Sequence, residues 1–117
     1  MQYLLLIYNC EAQSAAAHEA ASMMKEYGDF TRGIMESGHY KGGNALQPVT
    51  TATSVRVRDG KTLLTDGPFA ETAEQLGGYY LIEAADLDAA TAIAARIPGA
   101  RAGTIEVRPI WAMPARA

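Results

Sequence analysis

A chain of 117 residues that is 49% apolar has the length of one domain and enough apolar residues for a single packed core without staples. A formal charge of −3 disfavours a polyanionic partner, so nucleic acid is not expected. No apolar run approaches the roughly 20 residues of a membrane-spanning helix, so no membrane is expected either.

The first segment, Tyr3 to Tyr8, is apolar without alternation, the pattern of a central strand covered on both faces. It is also too short, and lacks the basic flank, for an export signal. The lone Cys10 cannot form an internal disulfide, so a reducing cytoplasm is the expected compartment.

After a loop from Asn9 to Gln13, Ala16, Ala20, Met23, Tyr27, Phe30 and Ile34 recur at spacings of three and four and predict a long helix with one apolar stripe. Ser14 is the expected N-cap and Gly38 the expected stop. Lys25, Asp29, Arg32 and Glu36 alternate in charge on the solvated side. Gly28 and Gly33 cost this helix about 1 kcal/mol each relative to alanine, so tertiary packing must hold it.

Lys41 to Thr51, with two glycines and Pro48, reads as a loop or short irregular strand. The next run alternates, with Val55 and Val57 on one face and Ser54, Arg56 and Arg58 on the other. Asp59-Gly60 suits the two positive-φ positions of a type I′ turn, and Lys61 to Thr65 returns as its partner. That register sets Val55 opposite Leu64 and Val57 opposite Thr62, with Leu63 on the arginine face. Which arm of the hairpin joins the main sheet stays open.

Gly78 to Ala84 is apolar on both faces and is expected to be the second central strand. Asp86 caps a short helix with the stripe Leu87, Ala90, Ile93, Ala94 and Ile97, ended by Pro98-Gly99. The last strand, Thr104 to Trp111, carries Ile105, Val107 and Trp111 on one face, and Pro109 assigns it to an edge.

The order strand, helix, hairpin, strand, helix, strand predicts an α+β, ferredoxin-like βαββαβ domain with an added hairpin strand. Two helices cover only one side of such a sheet, yet both central strands are apolar on both sides. A second copy packed sheet against sheet would cover the rest, so a homodimer is expected.

The most distinctive segment is Asp66-Gly67-Pro68-Phe69-Ala70-Glu71-Thr72, followed by Glu74-Gln75-Leu76-Gly77-Gly78-Tyr79-Tyr80. Together with Tyr3 to Tyr8, Val55 to Lys61, Asp86-Leu87-Asp88 and Glu106 to Pro109, it resembles the DGPF proteins, a branch of the YCII-related superfamily. The resemblance spans nearly the whole chain, residues 1–117 as one domain. It implies a dimeric α/β barrel with no metal or organic cofactor, and it implies no known reaction. Some relatives accompany extracytoplasmic-function sigma factors, which makes a sigma-factor association part of a regulatory reading. For the wider superfamily a catalytic His-Asp pair has been proposed. Asp66 matches its aspartate; its histidine belongs to the first helix, where this chain offers His18 near the helix start and His39 just past the helix end, and the assignment stays open.

Each candidate has a functional and a structural reading. Asp66 can accept a proton in an enolisation or elimination if burial raises its pKa, or it can bond the backbone N–H groups of its own turn. Glu71 and Glu74 are acids in the same loop, and without a His or Cys cluster they are a weak metal signal. Thr72 with Gln75 is a candidate capping box for one helical turn. Tyr79 and Tyr80 point to opposite faces, either to pack or to orient a substrate oxygen. Arg56, Arg58 and Arg108 can clamp a carboxylate or guard strand edges against aggregation. His18 can shuttle protons or simply lie at the surface. Cys10 has no basic neighbour in sequence to activate it.

The enzyme reading is a cofactor-free lyase or isomerase with Asp66 as base, its small-molecule ligand surrounded by Gly67, Pro68, Phe69, Glu71, Tyr79, Tyr80, Arg58 and His18. The alternative is a non-catalytic ligand-binding or regulatory module. The fold alone does not choose between them.

Overall fold

The computed structural model describes residues 1–11 and 17–113, with the side chains of the first helix described from residue 21 onward. The expected cap Ser14 and stripe residue Ala16 lie outside the described residues, as do the side chains of His18 and Ala20. In chain order the elements are β1 (Gln2–Asn9), α1 (Ala17–Glu36), β2 (Tyr40–Ala45), β3 (Thr53–Arg58), β4 (Lys61–Asp66), β5 (Gln75–Glu83), α2 (Leu87–Ala95) and β6 (Thr104–Pro109). Single 3-10 turns occupy Val49–Thr51 and Pro98–Arg101.

The main sheet has the order β2-β5-β1-β6 and every pair in it is antiparallel. β1 and β2, which flank α1 in the chain, are split by β5, and β5 and β6, which flank α2, are split by β1, which is the ferredoxin-like arrangement. The two segments apolar on both faces, β1 and β5, take that centre as expected. β6 takes the edge, where Pro109 opposite Tyr3 closes the ladder. The strand stops there, so Trp111 lies past its end and is exposed rather than on the strand's inner face.

Alternation along β1 splits the sheet into two unlike sides. Tyr3, Leu5 and Ile7 are buried with Ile82, Phe30, Ile34, Ala90, Ile93 and Ile97 beneath the two helices. Asp86 and Gly38 act at the helix ends as their types predict. The Asp86 carboxylate accepts the Ala89 N–H at 2.8 Å. Gly38, at φ +81°, turns the chain after α1, and His39 N–H bonds the Ile34 carbonyl. Leu4 and Leu6 point the other way, beside Leu81 and Tyr79. None of these four joins the core beneath the helices, and each is only half-buried.

The fourth strand of the sheet is β2, in the stretch that reads from sequence as loop or irregular strand. Its two glycines erase any side-chain alternation, but one of them is required by backbone approach. A Cβ at Gly43 would sit 2.8 Å from the Tyr79 carbonyl oxygen and 2.9 Å from the Tyr80 ring. Neither arm of the predicted hairpin therefore joins the main sheet. β3 and β4 pair in the expected register, Val55 with Leu64 and Val57 with Thr62, around Asp59 (φ 52°) and Gly60 (φ 75°). They form a separate two-stranded arm, and the radius of gyration, 16.5 Å, exceeds the roughly 13 Å of a compact chain of this length.

Candidate functional site

β4 ends at Asp66, and Gly67 follows at φ +97°, a conformation that side chains resist. The turn is pinned to the base of the arm from both sides. Gly67 N–H donates to the Ala52 carbonyl at 2.7 Å, and the Ser54 hydroxyl donates to the Gly67 carbonyl at 2.8 Å. Asp66 itself takes no part. Among the described residues its carboxylate accepts no hydrogen bond, so the turn-capping role open to an aspartate at this position is filled by other groups.

Residues 66–72 bend around a hollow of about 790 Å³ whose remaining wall is Tyr8, Val49, Thr50, Gln75 and Leu76. Tyr8 and Leu76 are cross-strand partners at the end of the helix-free side of the sheet. The hollow is thus continuous with that uncovered face. Burial, reinforced by the Glu106 carboxylate 3.3 Å away, raises the Tyr8 phenol above its ordinary pKa and keeps it a neutral donor.

The loop wall is braced by long-range contacts that no local pattern announces. Gln75 accepts the Glu11 N–H at 2.9 Å and donates to the Thr72 carbonyl at 2.6 Å. The Glu11 carboxylate in turn accepts the Val49 N–H at 3.2 Å. Thr72 and Gln75 do not form the expected capping box, because the hydroxyl turns to the Glu74 carbonyl and Gln75 already begins β5.

The other candidates fall elsewhere. Tyr79 and Tyr80 line a second hollow, of about 330 Å³, with Tyr27, Thr31, Tyr40 and Asn9. There the Thr31 hydroxyl donates to the Tyr27 carbonyl, so the Tyr80 hydroxyl donates to Thr31 at 2.7 Å. The Tyr80 ring stands edge-on to Phe30, with centroids 5.2 Å apart. Burial raises the Tyr80 phenol above its ordinary pKa. Tyr79 accepts from Asn44 at 2.8 Å. Arg58 sits at the far end of the arm, lines neither hollow and donates to the adjacent Val57 carbonyl at 3.0 Å. His39 bonds the Ser37 hydroxyl at 2.7 Å and lies outside both hollows.

Of the residues singled out from sequence, Asp66, Gly67, Pro68, Phe69 and Glu71 are therefore brought together, whereas Tyr79, Tyr80 and Arg58 are not. Tyr8, Val49, Thr50, Gln75 and Leu76 complete the wall. Gln75 and Leu76 adjoin the distinctive segment, but their role depends on pairing with β1. Among the described residues no three His, Cys, Asp or Glu side chains cluster as metal ligands do.

A family model described as the YCII-related domain matches residues 1–114. An uncharacterized protein of Rhizobium meliloti (strain 1021) is 39% identical over 114 residues, covering 94% of this chain and 92% of that one. The match runs through both central strands, the arm and the loop from Asp66 to Thr72, and the chain belongs to the YCII-related domain family.

Proposed function

We propose that this YCII-related protein binds a small organic molecule in the hollow formed by residues 66–72, as a cytoplasmic homodimer that uses no cofactor. On this reading Asp66 is the proton acceptor of an enolisation, elimination or isomerisation. The observation that carries it is the Asp66 carboxylate, which is unengaged among the described residues and is held at the rim of a hollow by a turn that other groups pin. A group that contributes nothing to its own turn is available to a ligand.

The homodimer rests on the half-buried Leu4, Leu6, Leu81 and Tyr79 on the side of the sheet that neither helix covers. A symmetric second copy offers the same apolar chemistry to that face. The cytoplasm is the compartment consistent with a single free cysteine.

The exposure of Asp66 in the single chain favours a second reading, a non-catalytic ligand-binding or regulatory module, sigma-factor contact included. A general base needs a drier setting than one subunit supplies. His39, tied to Ser37 outside the hollow, offers Asp66 no acid-base partner. Screening a panel of small carbonyl compounds by thermal shift, then assaying each hit for turnover, separates the two. The enzyme reading expects Asp66→Asn to keep ligand binding and lose turnover by about 100-fold or more. Unchanged turnover in Asp66→Asn contradicts it, and binding without turnover by the unaltered protein favours the module.

A further inference from the structure

The hollow at Tyr80 lies on the opposite side of the sheet from the one at Asp66. Ile7 pairs with Gly78 across the strands, and Tyr80 with Gly43, and both Ile7 and Tyr80 pack into the core beneath the helices. The two glycines therefore leave bare backbone as the floor of this hollow, while Tyr27 and Thr31 of α1 and Tyr40 of β2 supply its walls. The Asn9 amide lies over Gly77, where an added Cβ would come 3.4 Å from its oxygen. At about 330 Å³ the hollow falls at the small end of the range for organic ligands.

Its chemistry differs from that of the first hollow. Asp66 and Glu71 line the first, whereas among the described residues no carboxylate, amine, guanidinium or imidazole lines the second. Burial holds the Tyr27 and Tyr80 phenols above their ordinary pKa, so both stay neutral near pH 7. A charged ligand would lose its water there and gain no counter-charge. A neutral one meets hydrogen-bonding groups with capacity to spare. Among the described residues no hydrogen bond engages the Asn9 side-chain amide or the Tyr40 hydroxyl, and both line the hollow. The Tyr80 hydroxyl donates to Thr31 and keeps a lone pair with which to accept. The flat backbone floor and the tyrosine rings suit a planar molecule.

We propose that this hollow is a second ligand site, which takes an uncharged, planar aromatic molecule of roughly one or two rings carrying a hydroxyl or carbonyl oxygen. Asn9 and Tyr40 hold the oxygen, and the glycine floor and Tyr80 hold the ring. The site does not depend on the Asp66 hollow or on any reaction there.

Titration of the unaltered protein with naphthol, followed by calorimetry and by the NMR shifts of backbone amides, tests the proposal. Saturable binding at one site per chain is expected. The amides of Gly43, Gly77 and Gly78 should move, and that of Gly67, in the other hollow, should not. Naphthoate, the same ring system as an anion, should bind at least about tenfold more weakly, because its charge finds no partner. Ala45 is an exposed position of β2 on the wall of the hollow, so Ala45→Phe should fill the space and weaken naphthol binding by at least about tenfold, with circular dichroism as a check on folding. The glycine amides read the site in the unaltered protein, so the test stands even if that variant fails to fold. Asn9→Ala should cost about three- to tenfold in affinity through the lost hydrogen bond. Absence of saturable binding, shifts centred on Gly67, naphthoate binding as tight as that of naphthol, or unchanged affinity in folded Ala45→Phe overturns the site. Unchanged affinity in Asn9→Ala overturns the part given to Asn9.

Discussion

Leu5 and Ile82 of the body have no exposed surface, whereas Val55, Val57 and Leu64 of the arm, of the same chemical kind and on equally regular strands, stand mostly in solvent. The difference lies in what is stacked on each sheet. Two helices cover one side of the main sheet, whereas among the described residues no third strand pairs with the arm, whose Val55, Val57 and Leu64 stay exposed. An apolar strand face demands cover without stating from where the cover comes, and in this molecule the two helices answer that demand for one side of the main sheet.

Truncation in each region should break or sharpen the contrast most strongly. Leu5→Ala is expected to lower stability by about 2–5 kcal/mol through the cavity it leaves. Leu64→Ala should change it by no more than about 0.5 kcal/mol. Urea unfolding at a dilution where only single subunits are present measures both, and similar losses would mean that the arm is packed within its own subunit. Gly43→Ala comes next, at about 1–3 kcal/mol, because the new methyl meets the Tyr79 backbone and the Tyr80 ring. A neutral result there would show that β2 can move away from β5 without cost.

The boundary of what the sequence makes legible follows the same contrast. β1 and β5 are recognisable as central strands because each is apolar on both faces. The hairpin register follows from Asp59-Gly60, and the start of α2 from Asp86. β2 is not legible, since a strand of Tyr-Lys-Gly-Gly-Asn-Ala has no periodicity and is placed by the close approach of Gly43 to β5. Nor is the separation of the arm, because alternation identifies an apolar face and not its neighbour. At the site, Asp66-Gly67-Pro68 is legible as a turn, with Gly67 at the positive φ. That Tyr79 and Tyr80 line a different hollow depends on where β5 carries them, and the brace from Gln75 to Glu11 spans a separation in sequence of 64 residues.

Two aspartates give a smaller and sharper comparison. Asp86 bonds the backbone of the helix it starts, so Asp86→Ala should cost about 1 kcal/mol. Asp66 bonds nothing described at its turn, so Asp66→Ala should change subunit stability by less than about 0.5 kcal/mol. Chemical denaturation checks both, and a large loss at Asp66 would make it a structural residue.

The smallest effect near neutral pH concerns Tyr80. Its phenol is held above the ordinary value of 10.0 by burial, so the folded state keeps the proton more tightly than the unfolded one. That contribution is fully present below pH 10 and is lost as pH rises through the folded value. Tyr80→Phe should reduce the alkaline fall in stability, and an identical fall in the variant would assign it to other groups.

The mass of the unaltered chain in solution, measured by sedimentation equilibrium at micromolar concentration, bears most directly on the covering of the open sheet face by a second copy. Twice the 12.5 kDa of one chain is the expected result. A single 12.5 kDa species at that concentration would leave Leu4, Leu6 and Leu81 facing water, and would contradict it.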